Sequence, residues 1–157
     1  MRNLSKTFGL LLVLFAISLL GRPAEAKYGG GSGTVDDPYL IYTAEQMNAI
    51  GAEPNDWDKH FNLMADIDLN SYRGREFNII GINFWDFNQV GPIRIKIPFT
   101  GTFDGNGHTI SNFTYVRIEA DDTGLFGYVN DPNARIRDLG LIDPNVAAGV
   151  GDRVGSL

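Results

Sequence analysis

The chain has no cysteine, two histidines, and 13 basic residues against 19 acidic ones in a length of 157. Without cysteine there is no disulfide framework, no thiolate zinc site and no thiol nucleophile. A lipoprotein-type anchor is excluded too, because it needs a cysteine to acylate. The formal charge of -6 lacks the basic footprint of a nucleic-acid binder. The longest apolar stretch, Phe8 to Leu20, holds 13 residues, short of the about 20 that cross a bilayer. Glycine, in contrast, is plentiful: 19 residues, or about 12%, where about 7% is usual. Hydrophobics at 43% and aromatics at 11% are too rich for a disordered chain.

Residues 1–26 read as a cleaved export signal. Arg2 and Lys6 make a basic start, the apolar run follows, and Ala24-Glu25-Ala26 fits the small-x-small cleavage rule. Cleavage would leave Lys27 as the new N-terminus and place the protein outside the cell or on its surface, with no membrane span. Losing Arg2, Lys6, Arg22 and Glu25 takes the charge from -6 to -8. The compartment permits disulfides, yet none can form. Burial and backbone hydrogen bonding must hold the fold.

Residues 27–35 form a Gly/Ser-rich leader, expected to be flexible. Residues 36–97 read as an N-terminal cap and first strands. Within them Tyr39-Leu40-Ile41 is a short strand, and Thr43 with Gln46 has capping-box spacing. Met47 and Ile50 share a helix face, and Gly51 is the expected stop. In HFNLMADIDL, Phe61, Leu63, Ala65, Ile67 and Leu69 alternate with polar residues, so a single half-buried strand is predicted. Ile93, Ile95 and Ile97 predict another, ended by Pro98, after a loop over Trp85 to Gly91. From Phe99 onward short strands (FTGTF, HTISNF, TGLFGYV, RIRDLGLID) alternate with turns such as Asp104-Gly105-Asn106-Gly107. No further helix is expected.

Many short strands can make a sandwich, a barrel or a solenoid. Internal echoes favour the solenoid. Ile110-Ser111-Asn112-Phe113 is echoed 26 residues later by Ile136-Arg137-Asp138-Leu139. Gly124-Leu125-Phe126 is echoed by Gly155-Ser156-Leu157.

A search for chemistry yields no catalytic, cofactor-binding or metal-ligating set. Asp66, Asp68 and Asn70 match the start of a calcium loop. Ser71 and Phe77 stand where that loop needs glycine and glutamate, so solvent-facing acids on a strand are the better reading. His60 and His108 belong to no H-E-x-x-H motif. Arg94, Lys96, Arg117, Arg135 and Arg137 are the cations that an enzyme acting on acidic polysaccharide would use.

Four pieces resemble the GLUG-motif repeat family of bacterial secreted and surface proteins: PFTGTFDGNGHTISNF (Pro98 to Phe113), TGLFG (Thr123 to Gly127), IRDLGL (Ile136 to Leu141) and GDRVGSL (Gly151 to Leu157). DPYLIYTAEQMNAIG and HFNLMADIDL resemble its usual lead-in. The resemblance implies an all-β fold: a right-handed parallel β-helix with one short N-terminal capping helix, its repeats filling 98–157. Gly101, Phe103, Asp104, Gly105, Asn106, Gly107, Ile110, Gly124, Leu125, Phe126, Gly127, Ile136, Leu139 and Gly140 carry the motif. They serve as corners and interior rather than as reactive groups. Phe99, Phe113 and Leu141 join the expected interior.

Two departures stand out. Asn83 to Ile97 resembles an insertion before the first repeat. The chain also stops at Leu157, inside what should be a V-G-G-L-V-G piece, so a fragment of a longer repeat protein is expected. The implied role is non-enzymatic adhesion or scaffolding. Its partners would be further repeats of the same chain and an extracellular ligand, such as carbohydrate or a host or cell surface. The competing expectation is the front of a secreted β-helix enzyme, or of a protease with a separate catalytic domain.

Overall fold

The computed structural model describes residues 27–88, 90–117, 122–147 and 154–157. The expected export signal and residues 151–153 of the last motif piece lie outside the described residues. The described chain is mostly strand, with one α-helix. Its first half contains β1 (Tyr39–Ile41), α1 (Ala44–Ala52), β2 (His60–Leu63), β3 (Ile67–Asp68), β4 (Ile82–Asp86) and β5 (Ile93–Ile97). Its second half contains β6 (Thr102–Asp104), β7 (Thr109–Ser111), β8 (Thr114–Val116), β9 (Arg135–Arg137), β10 (Gly140–Ile142) and β11 (Asn145–Ala147).

Three ladders run parallel. The first has the order β1-β2-β6-β9, the second β3-β7-β10 and the third β8-β11. Parallel neighbours cannot be joined by tight hairpins. The helix links β1 to β2, and from β6 onward each strand is reached only after the chain has passed through the other two ladders. Later partners keep a near-constant spacing. It is 33 residues from Phe103 to Ile136, and 31 from Ile110 to Leu141 and from Tyr115 to Val146. Partners in the step before are further apart, 42 from Phe61 to Phe103 and 43 from Ile67 to Ile110, and those of β1 and β2 are closer, 22 from Tyr39 to Phe61. The excess accommodates β4 and β5, an antiparallel pair outside the parallel ladders. Asn83 to Ile97 is thus an inserted hairpin. Its first strand runs through Trp85 and Asp86, which the sequence suggested were loop.

This register corrects one expected echo and supports the other. Ile136 pairs with Phe103, and Ile110 with Leu141, so the 26-residue echo does not align partners. The 31-residue echo does. Thr123 bridges Val154, Gly155 N–H donates to Thr123 O at 2.9 Å, and Leu125 N–H donates to Ser156 O at 3.3 Å. TGLFGYV makes isolated parallel bridges rather than a strand.

Two predicted strands are each split at a corner. HFNLMADIDL becomes β2 and β3 in different ladders, separated by Met64 to Asp66. RIRDLGLID becomes β9 and β10, separated by Asp138 at φ 51°. Inward alternation survives the first corner, because Phe61, Leu63, Ile67 and Leu69 are all buried. Period two therefore suggested one straight strand where two faces of the same core are lined.

The interior is a column of rings and branched aliphatics. Phe61 stacks on Phe103 with centroids 6.5 Å apart, and Phe126 lies edge-on to Phe99 at 5.2 Å and Phe103 at 5.5 Å. Phe77 meets Phe113 at 5.4 Å. Such pairs add about 0.5–1.5 kcal/mol beyond their burial. Phe99, Phe103, Ile110, Phe113, Leu125 and Phe126 are buried as expected. Ile136, Leu139 and Leu141 are only half-buried, because β9 and β10 are outermost in their ladders.

At the opposite end, Thr43 caps α1, accepting from Gln46 N–H at 3.3 Å. Met47 and Ile50 enter the core, and Ile50 O accepts the Trp57 indole N–H at 2.7 Å. Gly51 lies inside the helix instead of stopping it. A Cβ there would sit 1.9 Å from Asn78 O, so the residue allows a close approach. The glycine-rich leader is likewise packed rather than flexible. Gly29 N–H donates to Leu40 O at 2.8 Å and Leu40 N–H to Gly30 O at 3.0 Å, covering the outer edge of β1. Cβ atoms on Gly31 and Gly33 would strike Pro38 O and the Tyr39 ring. Tyr28 and Lys27 close on the buried Asp56 carboxylate at 2.8 and 2.7 Å. Burial, then the Asp56 bond, pushes the Tyr28 phenol far up.

Phe103→Ala should cost about 3–5 kcal/mol, since Phe103 is fully buried between ring neighbours. An unchanged melting temperature would remove it from the core. Gly105→Ala should cost about 1–3 kcal/mol, because its Cβ would lie 2.4 Å from Asp138 O. Thermal denaturation of both variants reads these effects.

Candidate functional site

The motif residues sit at corners and in the interior. Gly101 and Gly105 pass close beneath neighbouring backbone, at Lys59 O and Asp138 O. Gly107 and Asn106 carry positive φ, 78° and 51°. Asp104 Oδ1 accepts Asn106 N–H at 2.9 Å, which holds the turn, and its Oδ2 pairs with Arg137 on β9 at 2.5 Å. Gly124 is buried, and a Cβ on it would lie 3.0 Å from Gly155 O. Gly127 N–H donates to Ile80 O, and Gly140 N–H to His108 O.

Asp66 and Asp68, read from the sequence as solvent-facing acids, are exposed and also tie adjacent strands together. Asp66 Oδ1 accepts Thr109 N–H at 2.8 Å and lies 3.3 Å from His108 Nδ1. Asp68 Oδ1 accepts the Asn112 amide at 2.8 Å and Asn70 N–H at 2.9 Å. The Thr109 N–H, and then His108, hold the Asp66 carboxyl below its ordinary value. The Asn112 amide, and then Asn70 N–H, do the same for Asp68. No group of three or more potential metal ligands gathers among the described residues.

A concavity lies beneath the inserted hairpin. It has a volume of about 240 Å³ and is walled by Phe84, Asn78, Arg75, Arg117, Tyr115 and Asp122. Val116 N–H donates to Gly74 O at 2.8 Å, so Arg75 and Arg117, one residue further along each segment, come to the same cleft. Asn83 anchors the hairpin over it. Its amide donates to Asp122 Oδ2 at 2.6 Å, and its Oδ1 accepts Arg94 Nε at 2.7 Å. Arg94 in turn lies 5.6 Å from the Trp85 ring, its cross-strand partner. The hairpin leaves Phe84, Trp85, Phe87, Val90 and Ile93 exposed.

Of the five cations singled out in the sequence, the structure brings Arg117 to the cleft and Arg94 to its Asn83 wall. Lys96 lies opposite Asn83 across the hairpin. Arg135 and Arg137 belong to the first ladder and serve it. Arg135 caps the carbonyls of Pro132 and Ala134, and Arg137 pairs with Asp104. Arg75, Asn78 and Asn83 were not anticipated as site residues. Their only signal was polar residues flanking the isoleucine-rich stretch before the insertion.

The Asp66 and Asp68 ties predict an acid response. Both folded pKa values lie below the ordinary 3.8, so the stability they lend is complete above that value. It is lost as pH falls through the lower folded values. A double variant, Asp66→Asn with Asp68→Asn, should show a shallower fall of melting temperature below pH 3.8. Superimposable curves for variant and parent would contradict the ties.

No family model matches the chain, and no solved structure matches it. Two curated proteins do. One, from Evansella cellulosilytica, bears the name Gly-rich membrane protein and is 32% identical over 136 residues, 84% of this chain and 14% of its own length. The other, halomucin of Haloquadratum walsbyi, is 37% identical over 102 residues, 63% of this chain and 1% of its own length. The chain thus corresponds to a small part of each relative. No helix among the described residues is long and apolar enough to cross a membrane.

Proposed function

We propose that the chain is a non-enzymatic segment of an exported surface protein, built as a parallel β-solenoid and used for adhesion or scaffolding. The observation that carries this reading is one spacing shared by the last step of every parallel ladder. Partners 31 to 33 residues apart stack in all three ladders, with core residues above core residues. A chain that stacks so can lengthen by adding repeats, each burying the apolar face of the one before. In this reading α1 and the leader cap the first turn, and the half-buried Ile136, Leu139 and Leu141 form the face on which further repeats would stack. The names of the two relatives, one a membrane protein and one a mucin by name, support a place at the cell surface. The motif residues serve the backbone, which supports a structural role for them over a catalytic one.

The architecture is tested by NMR contacts. Cross-peaks from Phe103 to Ile136 and from Ile110 to Leu141 are expected, and their absence would refute the stacking. The role is tested by coating beads with the chain and offering cells and purified surface polysaccharides, with release of reducing ends followed in parallel. Retention without release is expected. Turnover that disappears on substituting Arg94, Lys96 and Arg117 would establish a polysaccharide-cleaving enzyme instead.

A further inference from the structure

We propose that the cleft beneath the β4–β5 hairpin binds an acidic saccharide, a sugar ring bearing a carboxylate. This names a ligand class for the surface role above, and it rests on that reading only for where such a ligand is met.

The charge comes first. Arg75 and Arg117 line one small cleft, and neither has an ion-pair partner among the described residues. Asp122 offers one opposing charge there, already held by the Asn83 amide. Arg94 adds a further cation behind Asn83. Among the described residues the cleft therefore carries a positive excess, on a chain whose net charge is -6. Guanidinium pairs favour planar carboxylates, which they grip with parallel N–H···O bonds.

The shape and lining point to a sugar rather than a bare anion. About 240 Å³ is more room than an isolated carboxylate fills, and is near the lower end of small-molecule sites. The lining includes the exposed Phe84 ring and Asn78, with the more buried Tyr115 and Thr123 beside them. Apolar C–H faces of a pyranose pack on such rings, while its hydroxyls meet the polar groups. The site is also preorganised. Asn78 is tied to Asn48 on α1 at 2.7 Å, and Asn83 is bonded on both sides.

The test is an NMR titration of the chain with trigalacturonate, galactotriose and inorganic phosphate. Saturable shifts at Arg75, Asn78, Tyr115 and Arg117 with trigalacturonate are expected, with galactotriose at least about tenfold weaker. Arg75→Ala and Arg117→Ala should each weaken binding about tenfold or more, and Arg135→Ala, in the first ladder, should leave it unchanged. Unaltered circular dichroism would show that the variants fold, since both arginines are exposed. Equal binding of galactotriose would overturn the role of charge, and equal binding of phosphate the saccharide. An equal effect of Arg135→Ala, or no saturation by about 10 mM ligand, would overturn the site. None of these failures would alter the Phe103–Ile136 contacts that test the solenoid.

Discussion

Stacked parallel strands set the constraint on which this structure depends. Neighbouring strands lie about 4.8 Å apart, and the segments that join them must pass one another at about that spacing. Side chains can be accommodated along the strands, where they point in or out. At corners the backbones themselves meet. Gly51, Gly81, Gly101 and Gly105 stand where an added Cβ would come within 1.9 to 2.4 Å of a carbonyl oxygen on a neighbouring segment. Most of the glycine excess is explained by this contact geometry, and by the positive φ at positions such as Gly107. Flexibility explains little of it, as the packed leader shows.

The same spacing makes polar side chains useful at the corners. Asp66, Asp68 and Asp104 each reach one strand along their ladders, to Thr109, Asn112 and Arg137. Asn112 and Asp143 occupy equivalent corners, both in the left-handed region, at φ 57° and 50°. Asn and Asp tolerate that conformation better than other non-glycine residues. An acidic chain without disulfides thus spends part of its charge on holding adjacent strands in register. The hairpin escapes these demands because it leaves the ladders, and that is where exposed aromatics and the arginine-lined cleft are found.

Much of the interior was legible in the sequence. Alternation placed Phe61, Leu63, Ile67 and Leu69 on one side, and FTGTFDGNGHTI showed a strand, a turn and a strand. The split between β2 and β3 was invisible, because a corner that keeps inward alternation looks like a straight strand. The 26-residue echo misled for a related reason. Similar apolar-polar tetrads recur in different ladders, and only backbone pairing tells which strands are neighbours. The cleft was the least legible feature. Arg75 and Arg117 are 42 residues apart in the chain, and the Val116–Gly74 bond joins their segments.

By itself, the sequence determined the classes excluded by missing cysteine and basic charge, the apolar residues able to form a core, the turn positions and the existence of an insertion. These follow from local chemistry: which side chains avoid water, which backbones accept positive φ, and which thiols are absent. Tertiary structure decided the pairing register, the real work of Gly51 and the leader, the partners of the acids and the wall of the cleft. Most of these depend on contacts between segments distant in the chain, where burial and backbone hydrogen bonds select one arrangement among many that local preference allows equally.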